Sequence, residues 1–249
     1  MKLHEINGYI QSIYVAEYKD KLLLLDGACR ADVDTICEFI SGQLKRPLTD
    51  LKLIVCTHMH PDHAGAAEKL KQIIGCDIAM TKTNKHWYRG LDGFLMFLTD
   101  MALAKWVAKR KKKASKWLWY NRHLQPDLEL EDGQMLPGFE DWQALYTQGH
   151  TDRCLSLYHA DSSQVYVADL IVIVKKRFIP PFPVFHPNRY KQSIKRIKEL
   201  SAQTVILAHG GKIPYVDIDF EYIENKAPHK PTTHMRSAFK KLQTAWGRS

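Results

Sequence analysis

Apolar positions along this chain change period several times, and the changes mark out its elements. Residues 3 to 25 carry apolar-rich runs on either side of Tyr18-Lys19-Asp20-Lys21, which predicts a hairpin. Its second strand, Leu22 to Leu25, has no polar alternation and reads as buried on both faces, ending at Asp26-Gly27-Ala28. From Asp32 or Asp34 the spacing turns helical, with Val33, Ile36, Cys37 and Ile40 on one stripe before Pro47. Leu51 to Cys56 reads as another buried strand, Ala64 to Ile74 as a helix ended by Gly75, and Asp77 to Met80 as a short strand. Residues 127 to 147 read as paired strands around Glu131-Asp132-Gly133-Gln134. Leu155 to His159 and Gln164 to Ala168 read as two more, joined by a turn at Asp161-Ser162-Ser163. A basic helix over 190 to 200 and a buried strand from Thr204 to Ala208 complete the series. Short apolar strands alternating with helices, without a fixed internal repeat, predict one α/β layered domain over residues 1–249.

Two segments stand outside that alternation. The first is an insertion at about 82–125, where Leu91, Phe94, Leu95, Leu98, Met101, Ala102 and Trp106 fit helical spacing. Met96, Phe97, Leu103 and Val107 make this helix apolar nearly all round, so it must be buried against something. Lys105, Lys109, Arg110, Lys111, Lys112, Lys113 and Lys116 follow without an intervening acid, then Trp117-Leu118-Trp119-Tyr120. A lid over an active site, an interfacial membrane helix with a cationic flank and a homodimer contact through residues 91–120 all fit this pattern. The second segment follows the linker-like Ala227-Pro228-His229-Lys230-Pro231. There Met235, Ala238, Phe239, Leu242 and Trp246 predict a C-terminal amphipathic helix at about 233–246.

The formal charge of +9 on 249 residues is concentrated in the basic block of the insertion. Charge alone would permit nucleic-acid binding, but no separate RNA-binding arm accompanies it, and a small-molecule substrate is the expected partner. The start of the chain lacks the charged-then-apolar pattern of a secretory signal. No run reaches the roughly 18 to 20 apolar residues of a spanning helix. The expected location is cytoplasmic, with attachment at a membrane surface if the insertion is interfacial. The five cysteines are scattered with no C-x-x-C spacing and read as reduced thiols, Cys56 as a core residue.

The chemistry is concentrated in Thr57-His58-Met59-His60-Pro61-Asp62-His63, between a strand and a helix. His58 and His60 are two apart, so an extended backbone sends both imidazoles to one side, where they can meet one ion. Asp62 and His63 follow as the chain turns and can address a second. Three distant residues stand at the ends of apolar runs: His150 in Gly149-His150-Thr151, Asp169 after Val165 to Ala168, and His209 after Val205 to Ala208. Strand ends gathered at one sheet edge are where α/β folds build sites. Five imidazoles with two carboxylates suit zinc and are too nitrogen-rich for magnesium or calcium.

Through these motifs, together with Leu25-Asp26-Gly27, nearly the whole chain resembles the metallo-β-lactamase fold superfamily. The resemblance implies a four-layer αβ/βα sandwich carrying two Zn2+ ions. It implies that His58, His60 and His150 hold one metal, that Asp62, His63 and His209 hold the other, and that Asp169 bridges both, with Asp26 as a structural supporter. The implied activity is hydrolysis of an ester, thioester, lactone or amide by a metal-bridging hydroxide that Asp62 orients. Two other activities occur on similar chains: a persulfide dioxygenase using one Fe2+, and a metal-dependent phosphodiesterase or nuclease. An aspartate bridge is typical of the glyoxalase II-like and lactonase-like branch. This chain departs from the lactonases in having Leu170, Ile171 and Val172 where a tyrosine usually follows the bridge, and from glyoxalase II in its short tail after Tyr215. Gln148-Gly149-His150-Thr151-Asp152 lacks the flanking prolines common in the family, which predicts a less rigid loop. Phe185, His186, Asn188 and Tyr190 are the candidate substrate contacts, in a Pro-rich loop.

Overall fold

The computed structural model describes residues 1–83 and 85–233. The expected C-terminal helix falls almost wholly outside the described residues. In chain order the strands are β1 (Lys2–Asn7), β2 (Ser12–Glu17), β3 (Leu22–Leu24), β4 (Leu51–Cys56), β5 (Asp77–Thr81), β6 (Leu128–Leu130), β7 (Met135–Leu136), β8 (Phe139–Tyr146), β9 (Leu155–His159), β10 (Gln164–Tyr166), β11 (Val172–Val174), β12 (Arg177–Ile179), β13 (Thr204–Leu207) and β14 (Gly211–Pro214). The helices are α1 (Val33–Glu38), α2 (Pro61–Ala64), α3 (Ala67–Ile74), α4 (Gly90–Arg110), α5 (Pro187–Leu200) and α6 (Phe220–Lys226).

Two six-stranded sheets, ordered β1-β2-β3-β4-β5-β6 and β14-β13-β10-β9-β8-β7, face each other, and β11-β12 forms a separate small ribbon. Alternation along β3 shows why both sheets read as unbroken apolar runs. Leu22 and Leu24 pack on the helix side with Val33, Ile36 and Leu70, while Leu23 and Leu25 pack between the sheets with Trp142, Leu157 and Ile206. The outer face of the second sheet, through Val165, Val205 and Leu207, is covered by Ile194 and Ile197 of α5 and Ile223 of α6. Helices, sheet, sheet and helices therefore give the four-layer αβ/βα sandwich, and a strand covered on both faces has no solvent side to mark.

Several expected boundaries move. The helix from Ala64 to Ile74 is broken into α2 and α3, because the Ala66 N–H leaves the helical ladder for the carbonyls of Gly27 and Ala28. The hairpin expected around Glu131–Gln134 is instead a crossing between sheets. Leu128–Leu130 pairs in parallel with β5, whereas Met135–Leu136 pairs with β8 across Pro137-Gly138. The strands β1, β11, β12 and β14 and the helix α6 are too short or too polar to have been distinguished individually.

Candidate metal centre

The loops after β3, β4, β10 and β13, and the turn between β8 and β9, open at one end of the sandwich, and they carry every residue of the predicted cluster. After β4 the chain bends over His58 to His60, with His60 itself extended, and Met59 packs into the helix-side core while His58 and His60 join the cluster. Pro61 then begins α2, its fixed φ suited to a first helical turn, and that turn aims Asp62 and His63 at the same space. Two donor groups result: His58, His60, His150 and Asp169, and beside them Asp62, His63 and His209. Within each group the donor atoms lie no more than 4.8 Å apart.

Hydrogen bonds on the outer side of each ring determine which nitrogen faces inward. His150 Nδ1–H donates to the Pro183 carbonyl at 2.6 Å and His209 Nδ1–H to the Ile10 carbonyl at 3.2 Å, leaving both Nε2 atoms free to coordinate. His63 Nδ1–H donates to Asp26 Oδ2 at 2.6 Å. His58 Nδ1 lies 3.1 Å from Thr57 Oγ1, whose own proton goes to Asp26. His60 is reversed. Its Nδ1 sits 3.1 Å from both His58 Nε2 and His150 Nε2, and its Nε2 points toward Asp100 Oδ2 at 3.7 Å. Asp169 divides its oxygens: Oδ2 is 3.8 Å from His150 Nε2, while Oδ1 is 3.4 Å from both His63 Nε2 and His209 Nε2. Asp62 Oδ2 is 3.1 Å from His209 Nε2.

The electrostatics differ between the two groups. Burial pushes the His58 imidazole well below its ordinary pKa, with the neighbouring imidazoles adding to the effect, and His150 falls to about 4 for the same reasons. In the second group burial also opposes charge, but it is outweighed: Asp26, Asp169 and Asp62 raise His63, and Asp169 and Asp62 raise His209. Burial likewise opposes ionisation of Asp62, yet His63 and His209 hold it down at about 2. His63 Nε2 and Asp169 Oδ1 are buried without a hydrogen-bond partner among the described residues. Orphaned buried donors and acceptors are rare in native folds, and here both face the point where the second group converges. The donor set and its orphaned atoms fit a divalent cation in each group.

Asp26 holds this arrangement from behind. Its Oδ1 accepts from the Gly27 and Thr57 amides at 3.0 and 3.1 Å. Its Oδ2 accepts from the Thr57 hydroxyl, His63 Nδ1 and the Tyr166 hydroxyl at 2.9, 2.6 and 2.8 Å. Gly27 is needed beside it, because a Cβ there would lie 2.5 Å from the His63 carbonyl that the Gly27 N–H binds. The turn bearing His150 is firmly held despite its missing prolines. Thr147 and Ser156 share a 2.7 Å hydroxyl bond, Ser193 of α5 donates to the Gln148 carbonyl, and the His186 N–H donates to the Gly149 carbonyl. Gly149 sits at φ +144, and a Cβ would lie 2.4 Å from Tyr190 Cα.

The cluster forms the floor of a cleft of about 400 Å³. One wall is α4, through Asp100, Leu103, Val107 and Lys111, and the opposite wall is β11 with Pro181 to Pro183. The suggested substrate contacts are elsewhere: Tyr190 is buried with its hydroxyl on the Leu170 carbonyl, and Phe185 packs edge-on against Trp87. Neither they nor His186 and Asn188 line the cleft. Asp100 and Lys111 are the residues sequence reading passed over. Asp100 had a signal, as a lone carboxylate within the apolar stretch from Gly93 to Ala104, and it accepts from the Tyr88 hydroxyl at 2.9 Å.

A family model described as the metallo-beta-lactamase superfamily matches residues 6–209. The probable metallo-hydrolase YqjP of Bacillus subtilis is 22% identical over 214 residues, covering 80% of this chain and 66% of that protein. The metallo-beta-lactamase fold-containing protein ST1585 of Sulfurisphaera tokodaii is 26% identical over 181 residues, covering 67% and 63%. The chain thus spans a little under two thirds of the length of these curated relatives. The solved structure of ST1585 superposes with a TM-score of 0.64 at 19% identity, covering 92% of this chain and 87% of that one. That of the metallo-beta-lactamase family protein TTHA1429 from Thermus thermophilus gives 0.65 at 21% identity, covering 90% and 78%.

Removing the carboxylate of Asp26 strands five buried donors at once. Asp26→Ala is expected to lower the unfolding free energy of the metal-free protein by about 3–5 kcal/mol, against about 1 kcal/mol for Tyr166→Phe, in urea titrations followed by tryptophan fluorescence. A loss under about 1 kcal/mol for Asp26→Ala would show that the carboxylate does not organise the loops.

Proposed function

The chain belongs to the metallo-beta-lactamase superfamily, and on that premise we propose that it is a dinuclear zinc hydrolase of carbonyl esters, thioesters, lactones or amides. The observation that carries this reading is Asp169, whose two oxygens face two separate histidine-rich donor groups on the floor of a largely apolar cleft. His58, His60 and His150 would hold one ion, Asp62, His63 and His209 the other, with Asp169 between them. Two bound zinc ions supply Lewis-acid polarisation of a carbonyl and a hydroxide at neutral pH.

The chain's own residues do the rest. Asp62 accepts a hydrogen bond from the attacking water and so orients it toward the acyl carbon. Asp26, Pro183 and Ile10 fix the imidazole tautomers, so that no ring must reorient when metal or substrate arrives. Leu103, Val107 and Val172 to Val174 exclude water and receive an apolar acyl chain. Among the described residues apolar ones outnumber the one wall cation, Lys111, a lining that suits an acyl chain better than an extended phosphodiester backbone. A persulfide dioxygenase keeps most of these residues while using one iron, so metal content separates the two readings.

Two experiments bear on this reading. A panel of thioesters, lactones, β-lactams and bis(p-nitrophenyl) phosphate assayed with zinc-loaded protein is expected to show turnover of acyl substrates. Turnover of the phosphodiester alone would replace the reading with a nuclease, and oxygen uptake on glutathione persulfide by iron-loaded protein would replace it with the dioxygenase. Asp169→Ala is expected to drop from two zinc per chain to one or none by elemental analysis and to lose at least about a hundredfold in activity, with its circular dichroism unchanged. Two tightly held zincs and full activity in that variant would remove Asp169 from the bridge.

A further inference from the structure

The insertion helix is apolar on two faces, and among the described residues only one of them packs against the core. Phe97, Met101, Ala104 and Ala108 are buried against the core. Leu91, Leu95, Leu98, Ala102 and Trp106, spaced by four, three, four and four residues, form a second stripe down another side. That stripe faces solvent: Leu91 is 82% exposed, Leu95 61% and Trp106 53%. Beyond the helix the same division continues along the extended segment. Leu118 and Tyr120 turn inward, Tyr120 donating to the Met59 carbonyl, while Trp117 is 73% exposed and Trp119 45%. Isolated exposed leucines need no explanation, but an aliphatic row joined by Trp106 on the helix and followed by exposed Trp117 and Trp119, the latter edge-on to Phe97 at 5.0 Å, does.

We propose that this outer face of α4, with Trp117 and Trp119, docks on an anionic lipid surface. The charges flanking the stripe select that occupant. Lys109 lies within the stripe's own angular range, and Lys105 and Arg110, the latter stacked on the Trp106 ring at 4.7 Å, flank it on either side. The helix's carboxylates are Asp100, which is buried, and Asp92 in its first turn. A second copy packed face to face would bring Lys105 and Lys109 of both chains into one contact, four ammonium groups against the two Asp92 carboxylates. An anionic headgroup layer accepts those ammonium groups, while leucine and tryptophan side chains enter the boundary beneath it. A nucleic acid would satisfy the cations but leave Leu91, Leu95 and Leu98 in water. Because the inner side of the same helix walls the cleft, docking would set the cleft beside the lipid layer. Among the described residues no helix is long and apolar enough to cross a membrane, so the contact is peripheral.

The test is cosedimentation of the whole protein with vesicles of phosphatidylcholine alone and of phosphatidylcholine with phosphatidylglycerol. Binding to the anionic vesicles is expected to be stronger by on the order of tenfold or more and to fall as salt is raised. The pair Lys105→Glu and Lys109→Glu, and separately Leu95→Ser with Trp106→Ser, should each reduce it by on the order of tenfold or more. Both pairs are exposed, and unchanged thermal unfolding would show that they leave the fold intact. Parent protein that stays in the supernatant with anionic vesicles would overturn the proposal, as would undiminished binding by both variants. A dimer in sedimentation velocity that Leu95→Ser with Trp106→Ser dissolves would assign the face to a second copy instead.

Discussion

A single buried carboxylate, Asp26, accepts five hydrogen bonds from four different segments: its own turn, the loop after β4, the first turn of α2 and the end of β10. Two layers of the sandwich meet at that point, since Thr57 follows a strand of the first sheet and Tyr166 belongs to the second. Strand pairing sets the position of each loop to within a few ångströms, but coordination requires finer placement. Asp26 provides it by fixing His63 directly and His58 through Thr57. The cost of burying a carboxylate is offset by this full set of donors, which no neutral residue could satisfy.

The cluster that results is electrostatically divided. Burial keeps His58 and His150 of one group neutral, while the other mixes imidazoles and carboxylates that hold each other charged. The inward nitrogens of the first group are its imidazole Nε2 and Nδ1 atoms. In the second, charge on His63 and His209 balances Asp62 and Asp169. Asp169 lies beside both groups. The insertion adds the outer boundary, for α4 brings Asp100 near the back of His60 and also closes one wall of the cleft.

Much of this was legible in the sequence because the chemistry is local or stands at the end of an apolar run. The H-x-H-x-D-H spacing already places two imidazoles before a helical turn, although the chain bends at His58 to His60 where an extended segment was expected, and His58, Asp169 and His209 stand just after the apolar strands β4, β10 and β13. What could not be read depends on tertiary contact. The break between α2 and α3 comes from carbonyls in a distant turn, and the sheet crossing at Glu131–Gln134 resembles a hairpin to any local rule. The helical spacing of Leu91, Leu95 and Leu98 predicts a helix, and the structure forms one, with Phe97 and Met101 packed on the core and Leu91 and Leu95 exposed. Periodicity finds apolar stripes without saying which one faces the core. The loop of His150 was expected to be loose for want of prolines. Side chains of Thr147, Ser156 and Ser193 hold it instead, and that substitution leaves no mark in a single sequence.

The central claim is that Asp169 joins two metal sites on one preorganised floor, and anomalous diffraction from crystals of the zinc-loaded protein tests it most directly. Two peaks about 3.5–4 Å apart are expected, one among His58, His60 and His150 and one among Asp62, His63 and His209, each touched by a different oxygen of Asp169. A single peak confined to the first group, or a second ion out of reach of Asp169, would contradict it.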